Sequence, residues 1–205
     1  MVNMKATNSM SPEQSLEIIR KSIEESRTVV NREMGIYFLW WGILTFIISI
    51  VVGMLWNATD SPKWNMLWAL MAVLGYSGNY LIGKKRKKTP ENFVSKALGW
   101  IWITFGLLCI VCWIIGSLSF STDVYGTRLP ITAVIILLGG FASTVSGFLL
   151  KNNAMVGASL GCAVVCANFC IKAPGAYEMF CMALFALVGM VIPGIVTMAK
   201  KKEAK

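Results

Sequence analysis

The chain has 205 residues, of which 56% are hydrophobic and only 14% charged, with a formal net charge of +9. A soluble domain carries about 25% charged residues, so there is too little polar surface here to cover a water-soluble globule, and the composition points to an integral membrane protein. Histidine is absent, which excludes His-ligated haem, His-containing zinc sites and histidine general bases.

The first ten residues are polar and hold no apolar core of a signal peptide, so no cleavable leader is expected and the first apolar run should anchor the chain uncleaved. Ser11-Pro12-Glu13-Gln14 predicts a helix start: Ser11 suits the cap, Pro12 the first helical position, and Gln14 completes a capping box. Glu17 and Lys21 form an i,i+4 pair in the favourable order. Leu16, Ile19, Ile23, Val30 and Met34 fall within an arc of roughly 60° at 100° per residue. A helix lying on a membrane needs a broad apolar face and an excess of basic residues. Here four basic residues (Arg20, Lys21, Arg27, Arg32) face five acidic ones (Glu13, Glu17, Glu24, Glu25, Glu33), with no aromatic. A narrow seam with balanced charge fits docking against another helix. The competing readings are an interfacial helix and a plain extension of the first span.

Six apolar runs follow, at Gly35–Trp56, Trp64–Ile82, Ala97–Leu118, Ile131–Leu150, Ala154–Ile171 and Tyr177–Met198. At 1.5 Å per residue each reaches roughly 27–33 Å, the thickness of a bilayer core. The expected fold is an all-α polytopic membrane protein of six transmembrane helices in three hairpins. Residues 1–34 form the amphipathic segment, 35–199 the bundle and 200–205 a basic tail. Sixteen of the nineteen Lys and Arg residues fall in the N-terminus, the second and fourth loops and the tail. That asymmetry places both termini in the cytoplasm. Trp40, Trp41, Trp100 and Trp102 read as one interfacial belt, Trp56, Trp64 and Trp68 as the other, and Trp113 as a packing residue. A weak repeat at an offset of 64 residues pairs Gly42 with Gly106, Gly75 with Gly139 and Gly83 with Gly147. It is read either as tandem hairpins or as a chance register of apolar segments.

Several motifs bear on function. Cys109-x-x-Cys112 has redox spacing, but both thiols lie mid-span, away from the helix N-terminus that such chemistry needs. Cys162, Cys166 and Cys170 form a stripe that suits close helix packing, with a soft-metal path as the alternative. Gly139, Ser143 and Gly147 in span four, and Gly157 and Gly161 in span five, read as packing residues that could also flank a pathway. Asn79 and Asn168 are the most polar groups inside spans and could line that pathway. No carboxylate or lysine lies in the interior of a span to support a proton relay, the nearest being Glu178 at the start of the sixth. Pro193-Gly194 should kink span six. Lys84, Lys85, Arg86, Lys87 and Lys88 should sit on anionic headgroups and fix topology. Asn57-Ala58-Thr59 matches a glycosylation sequon in a very short loop and reads as coincidence. No nucleophile–base pair, P-loop or dinucleotide fingerprint is present, so no cofactor and no nucleic-acid partner is expected.

The stretch Ser15–Gly42, SLEIIRKSIEESRTVVNREMGIYFLWWG, resembles uncharacterised small multi-span bacterial membrane proteins, in which an amphipathic helix runs straight into a span carrying a Trp-Gly pair, here Trp41-Gly42. The resemblance implies a bacterial inner-membrane location and no particular activity. The expectation is a non-enzymatic interaction or regulatory subunit that docks a partner, or a second copy, through Leu16, Ile19, Ile23 and Val30. The alternative is a small channel or transporter with a pathway along spans four and five.

Overall fold

The computed structural model describes residues 12–84, 93–121 and 130–199. Its elements are α1 (Pro12–Thr59), a 3-10 turn (Pro62–Met66), α2 (Leu67–Lys84), α3 (Phe93–Ser121), α4 (Ile131–Leu149), α5 (Asn153–Lys172), α6 (Ala176–Ala186), a π-helical turn (Leu187–Val191) and α7 (Ile192–Ala199). Among the described residues six helices, counting α6 to α7 as one, are long and apolar enough to cross a membrane. The protein is an all-α, six-span membrane protein.

The spans are unlike in how they are used. α1, α4, α5 and the α6–α7 span form the interior, with α2 against α1 and α3 against α4 on the flank. The apolar stretches of spans one, four and six are 44%, 56% and 50% buried, while those of spans two and three are 11% and 6% buried. The cause is residue size. A lipid tail is as apolar as leucine, so helices gain mainly from close packing in a bilayer, and small residues permit it. The α4 face toward the bundle is built of Ala133, Gly139, Gly140, Ala142, Ser143 and Gly147, all buried. A Cβ on Gly140 would overlap the Cβ of Ala163 in α5, and one on Gly147 would lie 2.8 Å from Val156 Cγ2. α1 meets the last span the same way: a Cβ on Gly35 would stand 3.1 Å from the Gly194 carbonyl oxygen, and one on Gly42 would stand 2.9 Å from Val191 Cγ2. Ser49, fully buried, continues this seven-residue spacing.

The α4–α5 hairpin turns in three residues. Lys151 N–H donates to the Phe148 carbonyl (3.0 Å) and Asn152 N–H to the Gly147 carbonyl (2.8 Å), with Lys151 at φ 49°. This is a Schellman closure, in which the left-handed residue lets the following amides satisfy orphan carbonyls. Asn152 then caps α5, its side-chain oxygen accepting from Met155 N–H. At the other end of the bundle Glu178 caps α6, its carboxylate accepting from Gly175 N–H at 3.1 Å. That is also where a negative charge suits the helix dipole.

Two readings of the sequence meet different surroundings here. Gly75 and Gly139, paired by the 64-residue offset, are both buried beneath aromatic rings, but the other pairs are not in like places: Gly42 is pressed against the last span, whereas a Cβ on Gly106 would meet only Tyr76 Oη at 3.9 Å. Gly147 is tightly packed and Gly83 open. The belt tryptophans are also reassigned. Trp40, Trp41 and Trp102 are interhelical packing residues, and Trp113, expected to pack, is 58% exposed.

Candidate functional site

The residues expected to matter fall into three places: the N-terminal part of α1, the junction where α1 meets the last span, and the outer face of α5.

α1 runs without a break from Pro12 to Thr59, so the amphipathic segment and span one are one helix. The segment 12–34 and the span expected from Gly35 are thus consecutive stretches of a single helix. Nothing in the intervening sequence stops a helix, since neither proline nor glycine occurs between Pro12 and Gly35. Met34 already packs against the core. Gly35 lies beside Gly194 and Met198, near the end of α7. Residues 12–31 therefore continue the helix for about 30 Å at 1.5 Å per residue. Leu16 is 66% exposed and Ile18 is 51% exposed. The side chains of Ile19, Ile23 and Val30 lie outside the described residues.

The junction is where α1 holds both neighbours at once. Trp40 Nε1 donates to the Gly75 carbonyl at 3.2 Å and Trp41 Nε1 to Asn79 Oδ1 at 3.1 Å. The two rings lie over Gly78 and Gly75, where any Cβ would overlap them. One residue further, Gly42 faces the opposite way, onto Met190 and Val191 of the π turn. The Trp-Gly pair thus serves two interfaces, an indole toward α2 and a bare backbone toward the last span. Asn79, expected as a packing or pathway residue, accepts the Trp41 indole N–H between α1 and α2.

The last span passes through a π-helical turn just before Pro193 and is braced from α5. Proline has no N–H, so the carbonyl four residues earlier, that of Gly189, loses its helical partner. Ser159 Oγ of α5 donates to that oxygen at 2.9 Å. Thr197 Oγ1 donates to the Pro193 carbonyl at 2.7 Å, and Asn152 Nδ2 donates to Thr197 Oγ1 at 2.9 Å. Ser159 is fully buried and Asn152 and Thr197 nearly so. Sequence reading found the proline but not its donors, because the freed carbonyl and the serine are thirty residues apart. On the flank, Trp102 anchors α3: its Nε1 donates to Ser146 Oγ at 3.2 Å, and its ring stands edge-on to Phe38 at 5.2 Å.

The stripe expected along spans four and five divides. Gly139, Ser143 and Gly147 of α4 are buried in the bundle, and the Ser143 hydroxyl has no hydrogen-bond partner. Gly157, Gly161 and Asn168 of α5 are on its exposed face, and a Cβ on either glycine would meet nothing within 4 Å. At 100° per residue they lie on the side of α5 away from Ala163. The α4–α5 seam itself is filled by the Gly140–Ala163 and Gly147–Val156 contacts. Lys84 is exposed at the end of α2, and Lys85, Arg86, Lys87 and Lys88 lie outside the described residues.

The cysteines of α5 make weak contacts: Cys162 and Cys166 sulfurs are 3.7 Å apart, and the Cys170 thiol faces the Glu178 carbonyl at 3.9 Å. Among the described residues, no group of three or more His, Cys, Asp or Glu side chains is gathered in a way that could hold a metal ion. Compared with protein-family models, with curated proteins and with solved structures, the chain matches none of them.

Proposed function

We propose that this protein is a non-enzymatic, membrane-embedded interaction subunit that docks a partner through Ser11–Met34, in a bacterial inner membrane with both termini in the cytoplasm. The observation that carries the reading is the unbroken α1 helix. It joins a segment in which Leu16 and Ile18 are exposed to the close seam between α1 and the last span. A docking segment so joined is held at a fixed direction and register to the membrane, so little order remains to be imposed on binding. The basic residues gathered at the α1, α2–α3 and α4–α5 ends and the tail support the orientation. A pathway between spans four and five has less behind it, because that seam is filled and Asn168 faces away from it.

The test is crosslinking in native membranes followed by affinity purification, comparing the intact protein with Leu16→Asp/Ile23→Asp. A specific partner, or a second copy, should be recovered with the intact chain and fall at least tenfold with the variant, while both reach the membrane equally. Equal recovery from both would overturn the docking role.

A further inference from the structure

The α5–α6 hairpin carries Cys162, Cys166, Cys170 and Cys181, all of them free thiols. Contacts across the hairpin fix its register. Ser159 Oγ meets the Gly189 carbonyl, Cys162 Sγ the Leu184 carbonyl at 3.9 Å, and Cys170 Sγ the Glu178 carbonyl at 3.9 Å. That register sets Cys166 level with Cys181, and Cys170 about one helical turn nearer the α5–α6 connection. Being level is not the same as facing. The Cα–Cβ bonds of a helix tilt toward its N-terminus, and α5 and α6 run in opposite directions. Cys166 therefore leans away from the connection and Cys181 toward it, so these two diverge. Cys166 Sγ accordingly lies 3.7 Å from Cys162 Sγ, one turn back on its own helix. Cys170 also leans away from the connection, which carries it toward Cys181. The Cys170 thiol has the Cys181 sulfur as a neighbour, and both side chains belong to the same apolar packing.

Depth separates this pair from the other thiols of the hairpin. At 1.5 Å per residue Cys170 is roughly 3 Å from the end of α5 at Lys172, and Cys181 roughly 8 Å from the start of α6 at Ala176. Cys162 is roughly 15 Å from the same end of α5, halfway through an ~30 Å hydrocarbon core. Disulfide formation needs a thiolate and somewhere for its proton to go, which an apolar core does not offer. The pair that converges across two helices is also the pair with a thiol close to the end of its span. That end is the one where Gly53 of α1 meets Met179, opposite the Gly35–Gly194 end.

We propose that Cys170 and Cys181 are a modification site, joined as a disulfide that pins α5 to α6, by exchange with a disulfide-bearing oxidant of the compartment outside the cytoplasm. The proposal rests on the orientation given above, which puts this end of the bundle on the oxidising side of the membrane. Cys181 is partly exposed and Cys170 is buried, so Cys181 reacts first. Its thiolate attacks one sulfur of the oxidant, whose S–S bond breaks, and a mixed disulfide forms. The Cys170 thiolate then attacks Cys181 Sγ, the Cys170–Cys181 bond forms, and the oxidant leaves as a dithiol. Two electrons pass from the pair to the oxidant, and the two protons of the thiols end on its two sulfurs.

The test uses the full-length protein in native membranes, with free thiols blocked by N-ethylmaleimide before detergent is added. Trypsin cleavage after Lys172 puts Cys170 and Cys181 on separate peptides, so only a bridge holds them together. The joined peptide should be recovered without reductant and lost with dithiothreitol, while Cys109, Cys112, Cys162 and Cys166 carry the maleimide. Cys170→Ser and Cys181→Ser should each abolish the joined peptide and free the remaining thiol of the pair for alkylation. Cys162→Ser and Cys166→Ser should leave the joined peptide in place. Alkylation of all six thiols in the native chain would overturn the proposal, and so would a bridge that survives Cys170→Ser. Orientation is read separately, from Ala173→Cys in the Cys170→Ser/Cys181→Ser protein, which a membrane-impermeant maleimide should label in whole cells. Labelling there with no bridge in the native chain overturns the disulfide alone. A bridge without that labelling supports the disulfide and overturns the orientation.

Discussion

Spans one and three are equally apolar by hydropathy, yet 44% of the apolar stretch of the first is buried and 6% of that of the third. Span one presents Gly35, Gly42, Ser49 and Gly53 to the last span, and backbones meet there almost directly. Span three leaves Ile103, Leu107, Ile110, Val111 and Ile114 exposed, and only Leu98, Trp102 and a few neighbours reach the bundle. In water both helices would bury their large apolar faces. In a bilayer the solvent already satisfies those faces, so the helix with small residues goes to the centre and the helix with large ones stays outside. Hydrophobicity places a segment in the membrane, and side-chain size places it within the protein.

This contrast is most easily broken by enlarging glycines. Gly140→Leu must displace α5 from α4, and should cost about 3 kcal/mol or more, seen as a large fall in thermal midpoint of the purified protein in detergent. Gly99→Leu on α3, where a Cβ meets nothing within 4 Å, should stay within about 0.5 kcal/mol. Comparable losses at both positions would end the distinction between core and flank. A finer probe is the stitching of the last span. Ser159→Ala leaves the Gly189 carbonyl buried without its donor and should cost about 1 kcal/mol. Ser77→Ala on α2, which removes only a bond to the carbonyl of Val73 one turn back on an exposed surface, should leave the same midpoint unchanged. The smallest effect is expected where flank meets core. Asn79→Leu removes the Trp41 partner, about 0.6 kcal/mol by the average for hydrogen bonds between spans. It should raise amide exchange in residues 67–84 and leave 131–172 as they were. Faster exchange throughout would mean that α2 belongs to the cooperative core after all.

Much of this was legible from the residues. The six spans begin and end within a few positions of where apolar runs and basic flanks put them, because the bilayer thickness and the need to satisfy every backbone amide admit little else. Pro193 announced an irregularity in span six for a reason internal to the side chain, and a π-helical turn precedes it. Tryptophan was harder to place. An indole serves equally at a headgroup boundary and over a glycine, and only the neighbouring helix decides which. Trp41 became a packing residue because Gly75 and Asn79 happen to lie opposite it. The small-residue stripes show the same limit. Gly147 and Gly161 look alike in sequence, yet one is pressed against α5 and the other is open. A stripe says that a close approach is possible and not what approaches.

The amino-acid order by itself determined membrane residence and the number of crossings, since both depend on one local property, apolar length, whereas the continuity of α1 from Pro12 to Thr59 was one of several readings the residues allowed. Only the folded arrangement decided which helices form the interior, where the two indoles of α1 rest, and that Ser159 and Asn152 brace the sixth span around Pro193. Those outcomes depend on pairs of residues far apart in the chain whose shapes and unpaired polar groups fit one another, and such complementarity has no signature in either segment alone.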